Sequence, residues 1–122
     1  MKNPLQTKVV RLLFFIAICL LISPKLHAQY SLYGPSTANV GESKLYSILY
    51  PPSGNFIYYW NVWGSGVFAA NSSSFYSAYN TTSTYINWTS AGSSTIYVEF
   101  NDEYYNEYYY TYEFYVTVSS AP

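Results

Sequence analysis

The chain has 122 residues, enough for at most one ordinary domain, and only 9% of them are charged. Four of its five basic residues (Lys2, Lys8, Arg11, Lys25) precede residue 29 and all six acids follow it, so residues 29–122 carry one lysine against six acids, a net charge of −5. That stretch also lacks Cys, His, Arg and Met. The missing groups exclude Ser-His-Asp and Cys-His catalysis, an ordinary zinc site, a stabilising disulfide and the neutralisation of a nucleic-acid backbone.

The N-terminal segment reads as an export signal. Residues 1–11 are basic, residues 12–22 (LLFFIAICLLI) are an unbroken apolar run, and residues 23–28 (SPKLHA) hold the helix breaker Pro24. Leu26 and Ala28 stand at positions −3 and −1 of a cut before Gln29. A membrane-spanning helix needs about 20 apolar residues, and this run is too short for a stable anchor. Cys19 follows Ile18 rather than a small residue, which argues against a lipoprotein cut. The expected organisation is a signal peptide over 1–28 and a secreted or surface-exposed domain over 29–122, with no stable membrane span after cleavage.

From residue 29 onward the pattern is short alternating runs separated by Gly, Pro, Asn and Ser, rich in Tyr, Val, Ile, Phe and Thr. No helical periodicity appears. Strands are predicted at 30–33, at 44–50 with Tyr46, Ile48 and Tyr50 on one face, and at 55–63 with Phe56, Tyr58, Trp60 and Val62 on one face. A short edge at 67–70 and a polar stretch at 71–82, a loop or weak edge, come next. Thr84, Ile86 and Trp88 align over 84–89, and Ile96, Val98 and Phe100 point inward over 95–101. The last strand, 108–119, places Tyr108, Tyr110, Tyr112, Phe114, Val116 and Val118 on one face. About seven strands at this spacing predict an all-β, immunoglobulin-like antiparallel sandwich. Its core is predicted from Tyr46, Ile48, Tyr58, Trp60, Ile86, Trp88, Ile96, Val98, Phe100, Tyr112, Phe114 and Val116. With even-numbered residues inward on both of the last two strands, their paired residue numbers must sum to an even value.

Two features bear on function. Asp102, Glu103 and Glu107, near the tip of the last hairpin, are candidate calcium ligands because Ca²⁺ takes several oxygens. The plainer reading is a solvated turn whose charges keep a sticky hairpin soluble. Tyr97, Tyr109 and Tyr115 share outward parity and, on neighbouring strands, would form an exposed aromatic patch able to bind a sugar ring or a protein surface. The plainer reading there is cross-strand packing that only stabilises the sheet. Carboxylates are the sole acid–base groups left, and no cleft is predicted around them, so no catalytic residue and no cofactor is assigned. Three Asn-x-Ser/Thr sequons, at Asn71, Asn80 and Asn87, carry weight only in a eukaryotic secretory route.

Gly34-Pro35-Ser36, Val40-Gly41-Glu42, Tyr46-Ser47, Tyr58-Tyr59-Trp60, Ile86-Asn87-Trp88 and the run from Ala91 to Val98 (AGSSTIYV), in that order and spacing, resemble the PKD-like domains of secreted proteins of Bacteroidota. The resemblance spans nearly all of 29–122. It implies an immunoglobulin-like extracellular module used for adhesion, spacing or display, with no catalytic residue. It also implies further repeats or a sorting domain, and the sequence ends after one such module. The expected function is therefore a non-catalytic extracellular module engaging a protein or a glycan. The alternatives are a carbohydrate-binding domain that uses the tyrosine patch and a self-assembling Tyr-rich matrix subunit.

Overall fold

The structure is a computed structural model that describes residues 29–105 and 107–120; the predicted signal peptide, residues 1–28, lies outside them. Every regular element among the described residues is a strand. In chain order these are β1 (Leu32–Tyr33), β2 (Thr37–Asn39), β3 (Ser43–Ile48), β4 (Phe56–Trp63), β5 (Gly66–Phe68), β6 (Phe75–Tyr79), β7 (Ser83–Trp88), β8 (Gly92–Asp102), β9 (Tyr108–Tyr110) and β10 (Phe114–Ser119). They form two sheets. The smaller runs β1-β3-β7-β5, and the larger runs β2-β10-β8-β4-β6 with β9 also on β8. The ladders are antiparallel except where β2 lies parallel to β10.

Period-2 patterning explains the layering. β4 alternates buried and half-buried along nearly its whole length, and β8 does so from Ser94 to Phe100. Their even-numbered residues meet those of β3 and β7 across a single core. Tyr46, Ile48, Tyr58, Trp60, Ile86, Trp88, Ile96, Val98, Phe100 and Val116 are all buried. Rings join the two layers. Tyr46 of the smaller sheet meets Phe114 of the larger edge to face at 5.8 Å, and Trp60 meets Phe68 at 6.3 Å. The polar ends of these rings are anchored: the Tyr46 hydroxyl donates to Pro35 O at 2.9 Å and Trp60 Nε1 donates to Thr81 O at 2.9 Å. Trp88 Nε1 lies near the Tyr46 hydroxyl but is buried without a hydrogen bond. Gly66 lets β5 approach β7 so closely that a Cβ there would stand 2.7–2.8 Å from the Trp88 and Ile86 side chains.

Ten strands among the described residues replace the expected seven, and the differences have local causes. The first segment is shared between the layers. Tyr30 bridges Thr111 of the larger sheet, β1 joins the smaller, and β2 returns to the larger beside β10. Residues 75–79, read as loop or weak edge, form strand β6 on β4. It closes on Asn80, whose left-handed backbone (φ 52°) lets its side-chain Oδ1 accept from Phe56 N at 3.0 Å. Tyr50 does not extend the inward face of β3: it lies beyond the strand, at φ 49°, almost wholly in water.

The largest correction concerns the last strand, which is broken rather than continuous. β10 pairs with β8 in the expected even register, Phe114 opposite Ile96, whereas β9 pairs in an odd register, Tyr109 opposite Phe100. Tyr112 and Glu113 together occupy the place opposite Tyr97, which makes a β-bulge. Thr111 fixes it. Its backbone N–H donates to Val98 O at 2.9 Å, and its buried hydroxyl accepts from Val98 N at 3.0 Å, a bond the interrupted ladder would otherwise leave unmade. The inserted residue reverses parity. Tyr112, expected in the core, is 55% exposed, and Tyr108 and Tyr110 face outward with it.

Thr111→Val keeps the shape but leaves Val98 N–H buried and unpaired, so unfolding free energy in urea drops by about 1–3 kcal/mol, whereas Thr111→Ser loses less. An unchanged midpoint in Thr111→Val would remove the hydroxyl from this role. Burial pushes the Tyr46 phenol up from 10.0 to about 12, the nearby Trp88 N–H opposing it only in part. The folded state therefore favours the neutral phenol. That stabilisation is complete below pH 10 and is lost as pH rises from 10 towards about 12, so urea midpoints should hold to pH 10 and then fall, less steeply in Tyr46→Phe.

Candidate functional site

The outward side chains of the larger sheet form a surface rich in rings. On β4 these are Ile57, Tyr59, Asn61 and Trp63, and on β8 Thr95, Tyr97, Glu99 and Asn101. Register places them opposite one another as Trp63–Thr95, Asn61–Tyr97, Tyr59–Glu99 and Ile57–Asn101. β6 adds Phe75 beside Asn61, and β9 adds Tyr108 beside Asn101 and Tyr110 beside Glu99. Side chains standing on the same face of adjacent strands meet at short range. Two ring pairs result. Trp63 and Tyr97 lie nearly parallel at 6.0 Å, and Tyr59 and Phe75 nearly parallel at 6.2 Å.

These pairs flank an open depression of about 360 Å³ lined by Tyr59, Asn61, Trp63, Phe75, Tyr97, Glu99 and Tyr108. Its floor is ordered. The Tyr97 hydroxyl donates to Glu99 Oε1 at 2.9 Å. Burial first, and that bond to a carboxylate second, raise the Tyr97 phenol well above its ordinary range. Trp63 and Phe75 remain about half exposed beside it, on one face with Tyr108 and Tyr110.

Of the three tyrosines predicted to form a patch, the structure brings only Tyr97 into this depression. Tyr109 faces the other way, because the bulge reverses β9. Its ring stacks on Phe100 at 5.3 Å and meets Phe56 and Tyr30 edge to face at 5.6 and 6.1 Å. Its hydroxyl donates to Glu107 Oε2 at 2.8 Å, and chiefly for that reason its phenol is pushed up to about 12. Tyr115 stays outward on β10 opposite Thr95, donates to Glu113 Oε2 at 2.7 Å and is not among the residues lining the depression.

The acids near the hairpin tip are engaged by local donors. Asp102 Oδ1 accepts from Tyr104 N at 2.8 Å, closing the turn; Glu103 accepts the Tyr79 hydroxyl, and Glu107 accepts that of Tyr109. Among the described residues no three His, Cys, Asp or Glu side chains are grouped to hold a metal ion.

Sequence reasoning missed Trp63, Phe75, Tyr59 and Tyr108. Trp63 and Tyr59 carry a usable signal, since both stand at odd positions of a strand whose even positions are apolar. Phe75 sits in a Ser- and Asn-rich stretch that hides its strand, and the unbroken alternation over 108–119 puts Tyr108 inward, a parity that the bulge reverses.

The two orientations separate by stability. Tyr109→Ala removes a ring packed among Phe56, Phe100 and Tyr30 and should cost about 2 kcal/mol or more in urea, whereas Tyr115→Ala should stay within about 0.5 kcal/mol of the parent. Equal effects would contradict the reversed register. No family model and no curated protein matches this chain.

Proposed function

We propose that this chain is an exported, non-catalytic, immunoglobulin-like module of the PKD-like kind, and that the outer face of its larger sheet binds saccharide. The observation that carries the ligand class is the depression between β4, β6, β8 and β9, where rings and polar groups alternate within one open surface. A sugar ring has an apolar C–H face and a rim of hydroxyls. Aromatic side chains match the first, and Asn61 and the Glu99 carboxylate match the second. The absence of His, Cys and Arg from residues 29–122 supports the non-catalytic part of the reading, and the basic-then-apolar N-terminus supports export. The two layers around a ring-rich core, with a first strand divided between them, support the immunoglobulin-like assignment.

Charge narrows the ligand to neutral saccharides. Residues 29–122 hold a single cation, Lys44, which lies on β3 of the other sheet and pairs with Glu42 at 2.9 Å. The outer face of the larger sheet offers only carboxylates, so a sulfated or uronic-acid chain meets like charge.

The test is native affinity electrophoresis of the 29–122 protein through gels containing hydroxyethyl cellulose, laminarin, xylan or galactomannan. Retardation by at least one polymer is expected, with its loss in Trp63→Ala and Tyr97→Ala. Tyr33→Ala, which removes an exposed ring from the smaller sheet, should leave it intact. Unretarded migration in all four gels, or equal loss in the Tyr33 variant, would overturn the saccharide reading.

A further inference from the structure

We infer, resting on the saccharide reading above, that the site is an extended track with two subsites, and that its ligand is a linear neutral oligosaccharide several units long rather than a single sugar or a chain end. A second depression, of about 520 Å³, lies on the same outer face and is lined by Ile57, Asn101, Glu103 and Tyr104. Register places it directly beside the first. The Ile57–Asn101 pair is the next outward pair along β4 and β8 after Tyr59–Glu99, and Asn101 is also the direct partner of Tyr108, which lines the first depression. At 3.2–3.4 Å per strand residue, the track from Trp63 to Ile57 is about 20 Å long.

The two ends repeat one chemistry. The first combines Trp63, Tyr97, Tyr59 and Phe75 with the amide of Asn61; the second combines Tyr104 with the amide of Asn101. Tyr104 stands on the turn after β8, 89% exposed, its position set by its N–H to Asp102 Oδ1. Glu103 beside it is held by the Tyr79 hydroxyl of β6. Asn101 joins the two ends, pairing with Ile57 in the second depression and with Tyr108 of the first. Neither depression is enclosed, so a chain can enter and leave along the face, as a polymer interior requires.

Isothermal titration calorimetry with the 29–122 protein tests this, using β-1,4- and β-1,3-linked gluco-oligosaccharides of two to six units. Affinity should rise about tenfold or more from the disaccharide to the longest oligomer. Asn101→Ala and Tyr104→Ala should remove that gain while leaving the disaccharide within about twofold. Tyr104 is exposed on a turn, so its variant keeps the test valid if Asn101→Ala fails to fold. Equal affinity at every length, or length dependence untouched by Tyr104→Ala, would overturn the track and leave a single-subsite saccharide module standing. Failure of both series to bind, with no retardation in the polysaccharide gels, would overturn the saccharide reading itself.

Discussion

The pairing of β4 with β8 is the constraint on which the rest of the molecule depends. Eight successive partners, from Phe56–Asp102 to Trp63–Thr95, lock the two longest strands in one register. Because side chains alternate, that register builds both faces at once. Inward it stacks Tyr58 on Phe100 at 4.9 Å and seats Trp60 against Val98. Outward it sets Asn61 beside Tyr97 and Tyr59 beside Glu99. A slip of one residue would empty the core and erase the outer track together. The outward rings of β4 and β8 are therefore set by the same register as the core.

Large rings let a domain of this size hold together without a disulfide. Each buried aromatic removes about 150–250 Å² from water, and Tyr46, Tyr58, Trp60, Phe68, Trp88 and Phe100 all belong to the fully buried set. Polar groups enter this core on strict terms. Ser94 Oγ accepts from Ser65 N at 2.9 Å and shares a hydrogen bond with Ser65 Oγ at 2.8 Å; Thr111 serves Val98 in the same manner. Gly64, at φ 116°, makes the turn that brings Ser65 to Ser94, because a side chain there would collide with Ser93 and Ser94. The Gly-Ser-Gly run from the end of β4 into β5 is thus a packing device as well as a strand end.

Much of this was legible in the alternation of residue types. The inward faces of β4, β7 and β8 follow directly from period 2, and Trp60, Trp88, Ile96 and Val98 stand where that period puts them. What the sequence concealed was non-local. An unbroken alternation from Tyr108 to Ser119 describes a straight strand, and nothing in it marks the extra residue at Tyr112–Glu113. The bulge forms because Thr111 finds a buried partner in Val98, thirteen residues away. Tyrosine adds to the ambiguity, since its ring suits either face of a sheet. The outer site was hidden for a related reason: Trp63 and Tyr97 meet only because β4 and β8 are neighbours, and strand order is not written in either strand.

The glutamates of the larger sheet solve a problem of composition in an unusual way. With no arginine and one lysine after residue 29, they have almost no cation to pair with. Glu99, Glu103, Glu107 and Glu113 instead each accept a phenol, from Tyr97, Tyr79, Tyr109 and Tyr115. A charge–dipole contact of this kind contains no second ion for dissolved electrolyte to shield, unlike an exposed ion pair. The sheet's carboxylates thus keep their neighbours without a counter-cation, through contacts that depend less on ionic strength than exposed ion pairs do.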